Sequence, residues 1–329
     1  MKVAVLGSGS WGTALAILLT RNGHEVTLVG RSDDEISDLR ASRINHRYLP
    51  NFTVPEPTQF RLLADHLGTT DMTVVAVPSH AVREVVSLVK GEHPLIVIAA
   101  KGLEAKSAKT MSAVAAEALP GAERAVISGP NLAVEIVRSI PTAAVAASEN
   151  SSVAEKVQSA FICKTFRVYV SSDVTGVELA GSLKNVLAIG AGMSDGLGFG
   201  DNTKGALLAR GLHEMTSLGL AMGACIDTFM GLAGVGDLFA TASSQLSRNY
   251  RVGRSLGEGV GLGSAVEKVD QVVEGVTTSV CAQILAKKHG VEMPMFAAID
   301  AVINGQVSPL DAVQGLMGRN PKSEGLTLP

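Results

Sequence analysis

The chain has 329 residues, and 28 Lys and Arg against 31 Asp and Glu give a formal net charge of −3. This near-neutral balance and an aromatic content of 4% argue against a dedicated nucleic-acid binder, which would carry a basic surplus or a stacking platform. A hydrophobic fraction of 46% excludes disorder over most of the chain and fits about two domains.

The first half of the chain alternates short apolar runs with segments of helical spacing. Runs rich in Val, Ile and Ala predict strands at 3–6, 25–29, 72–77, 95–99, 125–128, 143–147 and 167–170. The periodicity between them predicts helices at 11–22, 33–41, 81–89, 108–118 and 152–160. This order predicts a doubly wound, Rossmann-like, mostly parallel sheet covered on both faces. The segment 43–67 is less regular and is predicted to be a connecting excursion.

The pattern changes after about residue 172, where strand-like runs disappear. Longer stretches of helical spacing predict helices at 174–191, 205–222, 277–288 and 295–304. We therefore expect a doubly wound domain over 1–172 and an all-α domain over 173–329. A glycine-rich stretch at 257–263 has too little side chain to pack and is predicted to be a mobile loop.

The cysteines and the apolar runs of the sequence indicate where in the cell the protein is expected. The three cysteines are isolated and lack metal-ligand spacing, so we expect reduced thiols, no disulfide framework and no bound metal. These cysteines are Cys163, Cys225 and Cys281. The longest apolar candidate, 177–193, contains Glu178 and Lys184, so a membrane span is not expected. A predicted strand almost at Met1 leaves no room for a signal peptide, and we expect a cytoplasmic location.

A glycine motif follows the first predicted strand. Gly7, Gly9 and Gly12 fit the pattern GxGxxG, and a predicted helix begins within it. In that context the first glycine permits a tight turn, the second lets the backbone approach a pyrophosphate and the third lets helix and strand pack closely. The alternative interpretation is that these glycines only form a turn and bind no ligand. The order strand, turn, helix favours dinucleotide binding, with the phosphates at the helix N-terminus.

The end of the second predicted strand bears on which dinucleotide is bound. An NAD site commonly places a carboxylate there to bind the ribose 2′-hydroxyl. This chain has Arg31 instead, whose guanidinium suits a 2′-phosphate. Asp33 and Asp34 follow, where they are expected to cap the next helix and complement its dipole. NADP(H), or use of both cofactors, is therefore favoured over NAD alone.

Other polar residues follow predicted strands at the carboxyl edge, where ligands of such sheets gather. Pro78 follows one strand, Lys101 another and the segment 128–131 a third. An ordinary strand-ending turn is the alternative for each of them.

The helical half places charged residues in apolar surroundings. Lys184 lies in an apolar predicted helix, where a buried ammonium group needs a partner or a lowered pKa; a lysine that reaches solvent is the alternative. Asp237 and Thr241 are four residues apart and share a helix face. Ser247 and Arg248, followed by an asparagine, precede a helical pattern and predict an anion site, although the serine also fits an N-cap. Together these residues favour an active site.

Nine segments carry a resemblance to a known family. They are GSGSWGTALA (7–16), NHRYLP (45–50), VAVPSH (75–80), AAKGLE (99–104), ISGPNLAVEI (127–136), VELAGSLKNVLAIGAGMSDGLGFGDNTKGAL (177–207), TFMGLAGVGDLFATASSQLSRN (228–249), VVEGV (272–276) and VEMP (291–294). On these segments the chain resembles bacterial-type NAD(P)-dependent glycerol-3-phosphate dehydrogenase over nearly its whole length. The resemblance implies interconversion of sn-glycerol 3-phosphate and dihydroxyacetone phosphate, supply of glycerol 3-phosphate for phospholipid synthesis, and a homodimer.

The resemblance also implies that 1–172 is the dinucleotide-binding domain and 173–329 the substrate-binding and catalytic domain, and it implies roles for individual residues. Lys184 matches the general acid/base, and Asp237 and Thr241 match positions near the reacting hydroxyl, so with Lys101 they form the implied catalytic set. The implied substrate contacts are Lys101, Gly129, Asn131, Lys184, Asp237, Ser247, Arg248 and Asn249. With the motif glycines, the candidate cofactor contacts are Gly7, Gly9, Ser10, Trp11, Gly12, Arg31, Pro78, Lys101, Ala133, Arg248, Val272 and Glu274. At Asn131 the chain departs from the family, which commonly has Thr or Ser there.

Two alternatives belong to other classes of function. A related two-domain dehydrogenase for a sugar acid or 3-hydroxy acid would need carboxylate-reading contacts and a different lysine motif. A dinucleotide-sensing regulator without turnover would lack the lysine or the anion site. The GSLKN and LSRN segments disfavour both.

Overall fold

The structure is a computed structural model that describes residues 1–321 and 323–325. Contacts divide the chain into two compact units, which are described separately. Unit 1 comprises Met1–Ala100 and Met111–Val174, and unit 2 comprises Lys101–Thr110 and Thr175–Pro329.

Unit 1 is built on an eight-stranded sheet. The described strands are β1 (Lys2–Leu6), β2 (Glu25–Gly30), β3 (Ile44–Asn45), β4 (Leu49–Thr53), β5 (Gln59–Leu62), β6 (His66–Thr69), β7 (Met72–Val75), β8 (Lys90–Glu92), β9 (Leu95–Ile98), β10 (Glu123–Ser128), β11 (Thr142–Ala147) and β12 (Phe166–Ser171). The sheet has the order β12-β11-β10-β9-β7-β1-β2-β5. Its neighbours pair in parallel except β10 and β11, which are antiparallel. The predicted mostly parallel sheet is confirmed.

Helices accompany this sheet along the chain. They are α1 (Ser10–Arg21), α2 (Asp33–Ser42), α3 (Val82–Leu88), α4 (Met111–Ala118), α5 (Ala133–Val137) and α6 (Ser151–Phe161). The central strands β7 and β9 are buried along their whole length, which explains why they lack an alternation of apolar and polar residues and why Thr73 is the single polar residue of the two strands. Helix α4 begins three residues later than predicted, because Ala108 has a left-handed φ of 54°, which does not continue a right-handed helix.

The segment 43–67 is more regular than predicted. Its strands β3 and β4 form an antiparallel hairpin, and β5 pairs with β2 at the edge of the main sheet. The guanidinium group of Arg43 holds the segment together by donating to the carbonyl oxygens of Val54 at 3.0 Å and Thr58 at 2.9 Å and to that of Pro55. Strand β5 was missed because an edge strand of four residues buries only Phe60, which leaves no apolar run to detect.

Unit 2 is helical, and among its described residues the β-structure is limited to an isolated antiparallel bridge between Leu103 and Thr110. The helices are α7 (Val174–Gly196), α8 (Asp201–Ala221), α9 (Ile226–Met230), α10 (Asp237–Ala242), α11 (Arg248–Gly257), α12 (Leu262–Glu267), α13 (Glu274–His289), α14 (Pro294–Ile303) and α15 (Pro309–Met317). The predicted all-α second half is confirmed. Among the described helices, none is both long and apolar enough to cross a bilayer.

The loop predicted at 257–263 is shorter in the structure, because Gly257 belongs to α11 and packs against α7. Gly257 ends α11, and α12 already begins at Leu262. A Cβ atom on Gly253 would lie 1.9 Å from the carbonyl oxygen of Ile189 in α7, and one on Gly257 would lie 2.4 Å from that of Met193. Gly253 and Gly257 therefore serve the contact between two helices. This contact fixes α11 against α7, the helix that carries Lys184.

Candidate active site

The glycine motif of unit 1 forms a tight turn between β1 and α1. Gly7 has a φ of +113°, which strongly favours glycine, and its N–H donates to the carbonyl oxygen of Val29 at 2.8 Å. A Cβ atom on Gly12 would lie 1.8 Å from the carbonyl oxygen of Gly7, so helix and turn can meet only without a side chain there. A Cβ atom on Gly9 would have no neighbour within 4 Å, and this side of the turn is open.

The N-terminus of α1 lies directly behind the open side of the turn. Gly9 is the N-cap and offers no side chain to the first backbone N–H groups of the helix, which begins at Ser10. Such a helix start attracts anions. The indole N–H of Trp11 donates to the carbonyl oxygen of Ala99 at 3.0 Å. The ring of Trp11 is therefore fixed, and only its partly exposed surface is available to a ligand.

The end of β2 has no carboxylate beside its exposed arginine. Arg31 follows the strand and is exposed. Ser32 is the N-cap of α2, and its hydroxyl oxygen accepts from the N–H of Glu35 at 3.4 Å. Asp33 and Asp34 lie in the first turn of that helix, as predicted from the helix dipole. This arrangement fits a dinucleotide with a 2′-phosphate.

The carboxyl end of β10 contains buried polar atoms with unused hydrogen-bonding capacity. Gly129 has a φ of +137°, and the side-chain amide of Asn131 donates to the carbonyl oxygen of Ala143 at 3.0 Å. Among the described residues, neither Asn131 Oδ1 nor the hydroxyl of Ser128 has a partner, although both atoms are buried. Buried polar groups without partners are costly, so this edge of the sheet fits a polar ligand. Pro78 and Ala133 also follow strands, before a short 3₁₀ turn and at the start of α5.

Unit 2 brings the whole predicted catalytic set together. Lys184 Nζ lies 2.7 Å from Asp237 Oδ1, and Lys101 Nζ lies 2.7 Å from Asp237 Oδ2. Lys184 Nζ also donates to the hydroxyl of Thr241 at 2.5 Å, and that hydroxyl lies 3.2 Å from Asp237 Oδ1. The side chains of Lys184 and Asp237 are 6% and 3% exposed. The interpretation of Lys184 as a lysine that reaches solvent is therefore wrong.

We call this group of four residues the lysine cluster; it consists of Lys101, Lys184, Asp237 and Thr241. Its charges do not cancel. Burial lowers the pKa of Lys184 to about 8, because the effects of desolvation and of Lys101 exceed the opposing effect of Asp237. Burial alone would raise the pKa of Asp237, but the two ammonium groups outweigh it and hold that pKa below its usual range. One carboxylate thus faces two ammonium groups, and the lowered pKa of Lys184 makes its proton easier to lose than that of an ordinary lysine.

Local structure explains how the lysine cluster forms. Lys184 is held within α7, whose residues from Gly176 to Ser194 are buried. Asp237 is the first residue of α10 and follows a π-helical turn at Leu232–Gly236. Such turns are rare and frequent at functional sites. A Cβ atom on Gly234 would lie 2.0 Å from the carbonyl oxygen of Phe229, so a glycine at this position allows the turn that presents the carboxylate.

The start of α11 combines several predicted substrate and cofactor residues. Ser247 is the N-cap, and its hydroxyl accepts from the N–H of Tyr250 at 3.3 Å, so its N-cap role is real. Asn249 donates from Nδ2 to Asn185 Oδ1 at 2.9 Å and accepts from the N–H of Gly275. Asn185 was not singled out from the sequence, although it directly follows Lys184.

Arg248 contacts Val272, another predicted cofactor-binding residue of unit 2. Its Nη1 lies 3.4 Å from the carbonyl oxygen of Val272, two residues before α13 begins at Glu274. Four of the predicted cofactor-binding residues belong to unit 2, and the others belong to unit 1. The four are Lys101, Arg248, Val272 and Glu274. Among the described residues, no cluster of three or more His, Cys, Asp or Glu side chains could hold a metal ion.

A Rossmann-like sheet with this glycine turn, combined in one chain with a helical unit that holds a buried lysine cluster, is typical of NAD(P)-dependent dehydrogenases. The profile of the NAD-dependent glycerol-3-phosphate dehydrogenase N-terminus matches residues 2–154, and that of its C-terminus matches residues 173–314. The chain belongs to the NAD-dependent glycerol-3-phosphate dehydrogenase family.

Individual relatives agree with this assignment. The chain is 46% identical over 328 residues to a glycerol-3-phosphate dehydrogenase [NAD(P)+] of Thermoanaerobacter sp. (strain X514), with 98% of this chain and 99% of the relative covered. It is 47% identical over 330 residues to the enzyme of the same name from Pelotomaculum thermopropionicum, with 98% and 95% covered. The crystal structure of glycerol-3-phosphate dehydrogenase from Coxiella burnetii matches with a TM-score of 0.90, 38% identity and coverage of 97% and 99%.

Proposed function

We propose that the protein interconverts sn-glycerol 3-phosphate and dihydroxyacetone phosphate by hydride transfer with NAD(P)(H). The observation that carries this proposal is the buried lysine cluster, in which Lys184 shares the carboxylate of Asp237 with Lys101. The two family profiles and the names of the relatives support the same reaction. The proposed role in the cell is supply of glycerol 3-phosphate for phospholipid synthesis.

Lys184 is the proposed proton donor for reduction of the ketone. Bound NAD(P)H supplies the hydride. Among the described residues, Lys184 Nζ donates to Asp237 and Thr241, so one of its three N–H bonds remains for the ketone oxygen. An ammonium group there stabilises the negative charge that develops on this oxygen and delivers the proton. Its lowered pKa of about 8 makes the proton easy to transfer near neutral pH.

Asp237 and Lys101 have supporting roles in the proposed mechanism. Asp237 orients the ammonium group of Lys184 through a hydrogen bond of 2.7 Å. Lys101 occupies the second oxygen of the same carboxylate, so Asp237 is less able to hold the proton of Lys184 in place. The excess positive charge of the cluster also favours a substrate that carries a phosphate group.

Arg248 and Asn249 are the proposed ligands of the substrate phosphate. Both lie in the first turn of α11, where backbone N–H groups and the helix dipole favour an anion. Arg248 adds a planar guanidinium group that matches phosphate geometry. Binding energy from the phosphate, which is not part of the reacting ketone group, would then orient the carbonyl carbon.

A cofactor-absorbance assay tests the proposed function directly. Purified protein is mixed with NADPH and dihydroxyacetone phosphate, and loss of absorbance by the reduced cofactor is followed with time. We expect turnover with this substrate and none with 3-hydroxybutyrate and NADP, the control for a hydroxy-acid dehydrogenase. Cofactor binding without turnover of any of these compounds would favour a dinucleotide sensor and contradict the proposal.

The absence of a carboxylate beside Arg31 predicts the cofactor preference. Because a guanidinium group at this position favours a 2′-phosphate, kcat/KM with NADPH is expected to equal or exceed that with NADH. Replacement of Arg31 by Ala should lower kcat/KM for NADPH more than for NADH. Steady-state kinetics with both cofactors check this expectation, and a strong preference of the parent protein for NADH would contradict it.

The lowered pKa of Lys184 predicts opposite pH profiles for the two directions. Reduction needs the protonated amine, so its kcat/KM should be constant below about pH 8 and fall tenfold per unit above it. Oxidation needs the neutral amine, so its kcat/KM should rise towards pH 8 and then level. Measurements between about pH 7 and 9.5 avoid the second titration of the phosphate near pH 6. Profiles that are flat in both directions would exclude proton transfer by Lys184 with this pKa.

We propose that the protein is a homodimer in the cytoplasm. The resemblance to the family implies the homodimer. Exposed apolar side chains along α9, the π-helical turn and α10 support self-association, because contiguous apolar surface commonly marks an interface. These side chains are Met230, Val235 and Phe239, which are 47%, 40% and 68% exposed. Sedimentation of the purified protein at the mass of two chains would support the proposal, and the mass of one chain would oppose it.

A further inference from the structure

Asn45 is a buried polar residue that the proposed mechanism leaves without a role. It is 3% exposed and ends strand β3 in the hairpin that Arg43 anchors. Its side-chain Nδ2 donates to the carbonyl oxygen of Ser8 at 2.7 Å and to the hydroxyl of Thr13 at 2.8 Å. Asn45 thus contacts the inner side of the glycine turn, between Gly7 and Gly9.

The orientation of the Asn45 amide is fixed by its neighbours. Its Oδ1 accepts from the backbone N–H of Tyr48 at 3.1 Å, which can only donate. Its Nδ2 faces the carbonyl oxygen of Ser8, which can only accept. The hydroxyl of Thr13 accepts from Asn45 and donates to the same carbonyl oxygen at 3.3 Å. The carbonyl group of Ser8 is therefore held by two donors from the protein interior.

Holding this carbonyl group also determines where the next N–H points. The chain has no cis peptide bond among its described residues, and in a planar trans peptide the C=O and N–H groups point in opposite directions. With the Ser8 carbonyl turned towards Asn45, the N–H of Gly9 points away from the interior. A Cβ atom on Gly9 would also meet nothing within 4 Å, so the space beside the Cα atom of this residue is open.

We propose that Asn45 is a positioning residue for the cofactor pyrophosphate, because it holds the Ser8–Gly9 peptide so that the Gly9 N–H is presented to a phosphate oxygen. Asn45 itself would not touch the cofactor. The inference rests on the proposed use of a dinucleotide, and it concerns its binding step rather than hydride transfer. The side chain acts through backbone geometry, so its loss should weaken the binding only of ligands that contain the pyrophosphate.

The decisive variant is Asn45→Asp, which keeps the shape of the side chain. The remaining oxygen can still accept from the N–H of Tyr48, but the carboxylate has no proton for the carbonyl oxygen of Ser8 and repels it. The matched control is Asn22→Asp. Asn22 also lies in unit 1 and donates from Nδ2 to backbone carbonyl oxygens, those of Ala160 and Phe161 at 2.9 and 3.1 Å, but it follows the opposite end of α1 from the glycine turn.

Equilibrium titration separates a role in positioning from a general loss of structure. The ligands are NADPH and adenosine 2′-monophosphate, which shares the adenosine and 2′-phosphate but lacks the pyrophosphate. For Asn45→Asp we expect the Kd for NADPH to rise about 10- to 100-fold, the usual range for losing a hydrogen bond to a charged group. The Kd for adenosine 2′-monophosphate should stay within about twofold of the parent. Asn22→Asp should leave both Kd values unchanged.

The outcomes distinguish the two proposals. An unchanged Kd for NADPH in Asn45→Asp, or equal losses for both ligands, would overturn the role of Asn45 and leave the proposed function intact. A parent protein that binds no dinucleotide would overturn both. If Asn45→Asp does not fold, as judged by circular dichroism, Thr13→Val provides the test, because it removes the other donor to the Ser8 carbonyl. Thr13→Val should raise the Kd for NADPH and leave the Kd for adenosine 2′-monophosphate nearly unchanged. Failure to do so would count against the proposal.

Discussion

Replacement of Lys184 by Ala is expected to lower kcat for reduction of dihydroxyacetone phosphate by about 10²- to 10⁴-fold, the usual contribution of a positioned proton donor. The variant removes the ammonium group that lies 2.7 Å from Asp237 Oδ1. Lys101 would still neutralise this carboxylate from its other oxygen. The Kd for NADPH should stay near that of the parent, because Lys184 is not among the proposed cofactor contacts.

Two further variants interpret the effect of Lys184→Ala. Lys184→Arg retains a positive charge but holds its proton too tightly to transfer it, so it should remain severely impaired if proton transfer is the role. Lys287→Ala removes an exposed lysine of α13 in the same unit and should leave kcat unchanged. Parent-like turnover by Lys184→Ala would remove this residue from the mechanism, whatever the resemblance to the family.

Replacement of Arg248 by Ala is expected to lower kcat/KM for dihydroxyacetone phosphate by about 100-fold, because a charged hydrogen-bonding partner of the phosphate is lost. The same variant should change kcat/KM for dihydroxyacetone, which has no phosphate, by much less. The comparison of the two ketones at saturating NADPH isolates the phosphate contact from any effect on the cofactor.

A second arginine on the same helix is the control for Arg248→Ala. Arg254 lies in α11 and pairs with Glu258 at 3.0 Å, with its side chain 51% exposed. Arg254→Ala removes the same charge from the same helix, but at its opposite end, and should affect neither ketone strongly. Equal losses for both ketones in Arg248→Ala would contradict its assignment to the phosphate.

The parts of the fold that could be predicted are those with a strong local pattern. Strand β9 is a continuous apolar run because both of its faces are buried, and the turn at Gly7 has a motif of its own. Strand β5 has no such signal, since its place at the sheet edge is set by pairing with β2. Gly257 was assigned to a loop because sequence alone does not show that it packs against the backbone of α7.

The residues of the candidate active site could be named from the sequence, but not their partners. The buried setting of Lys184 follows from its apolar helix, whereas its pairing with Asp237 joins residues 53 positions apart. The direction of the pKa shift of Lys184 could not be derived beforehand, because burial, Lys101 and Asp237 act in opposite senses and only their distances decide the outcome. Asn45 begins the segment NHRYLP (45–50), but its contacts could not be predicted, since they depend on a hairpin in a part of the chain without clear periodicity.

The discontinuity of unit 2 limits how natural variants of this family can be recombined. Residues 101–110 leave the sheet-forming part of the chain and belong to the helical unit, where Lys101 meets Asp237 and the carbonyl oxygen of Glu104 lies 3.7 Å from Cys281 Sγ. A chimera with a single crossover at residue 172 would take this decapeptide from one parent and its contacts from the other. A successful exchange of helical halves therefore requires three junctions, two of them flanking the decapeptide.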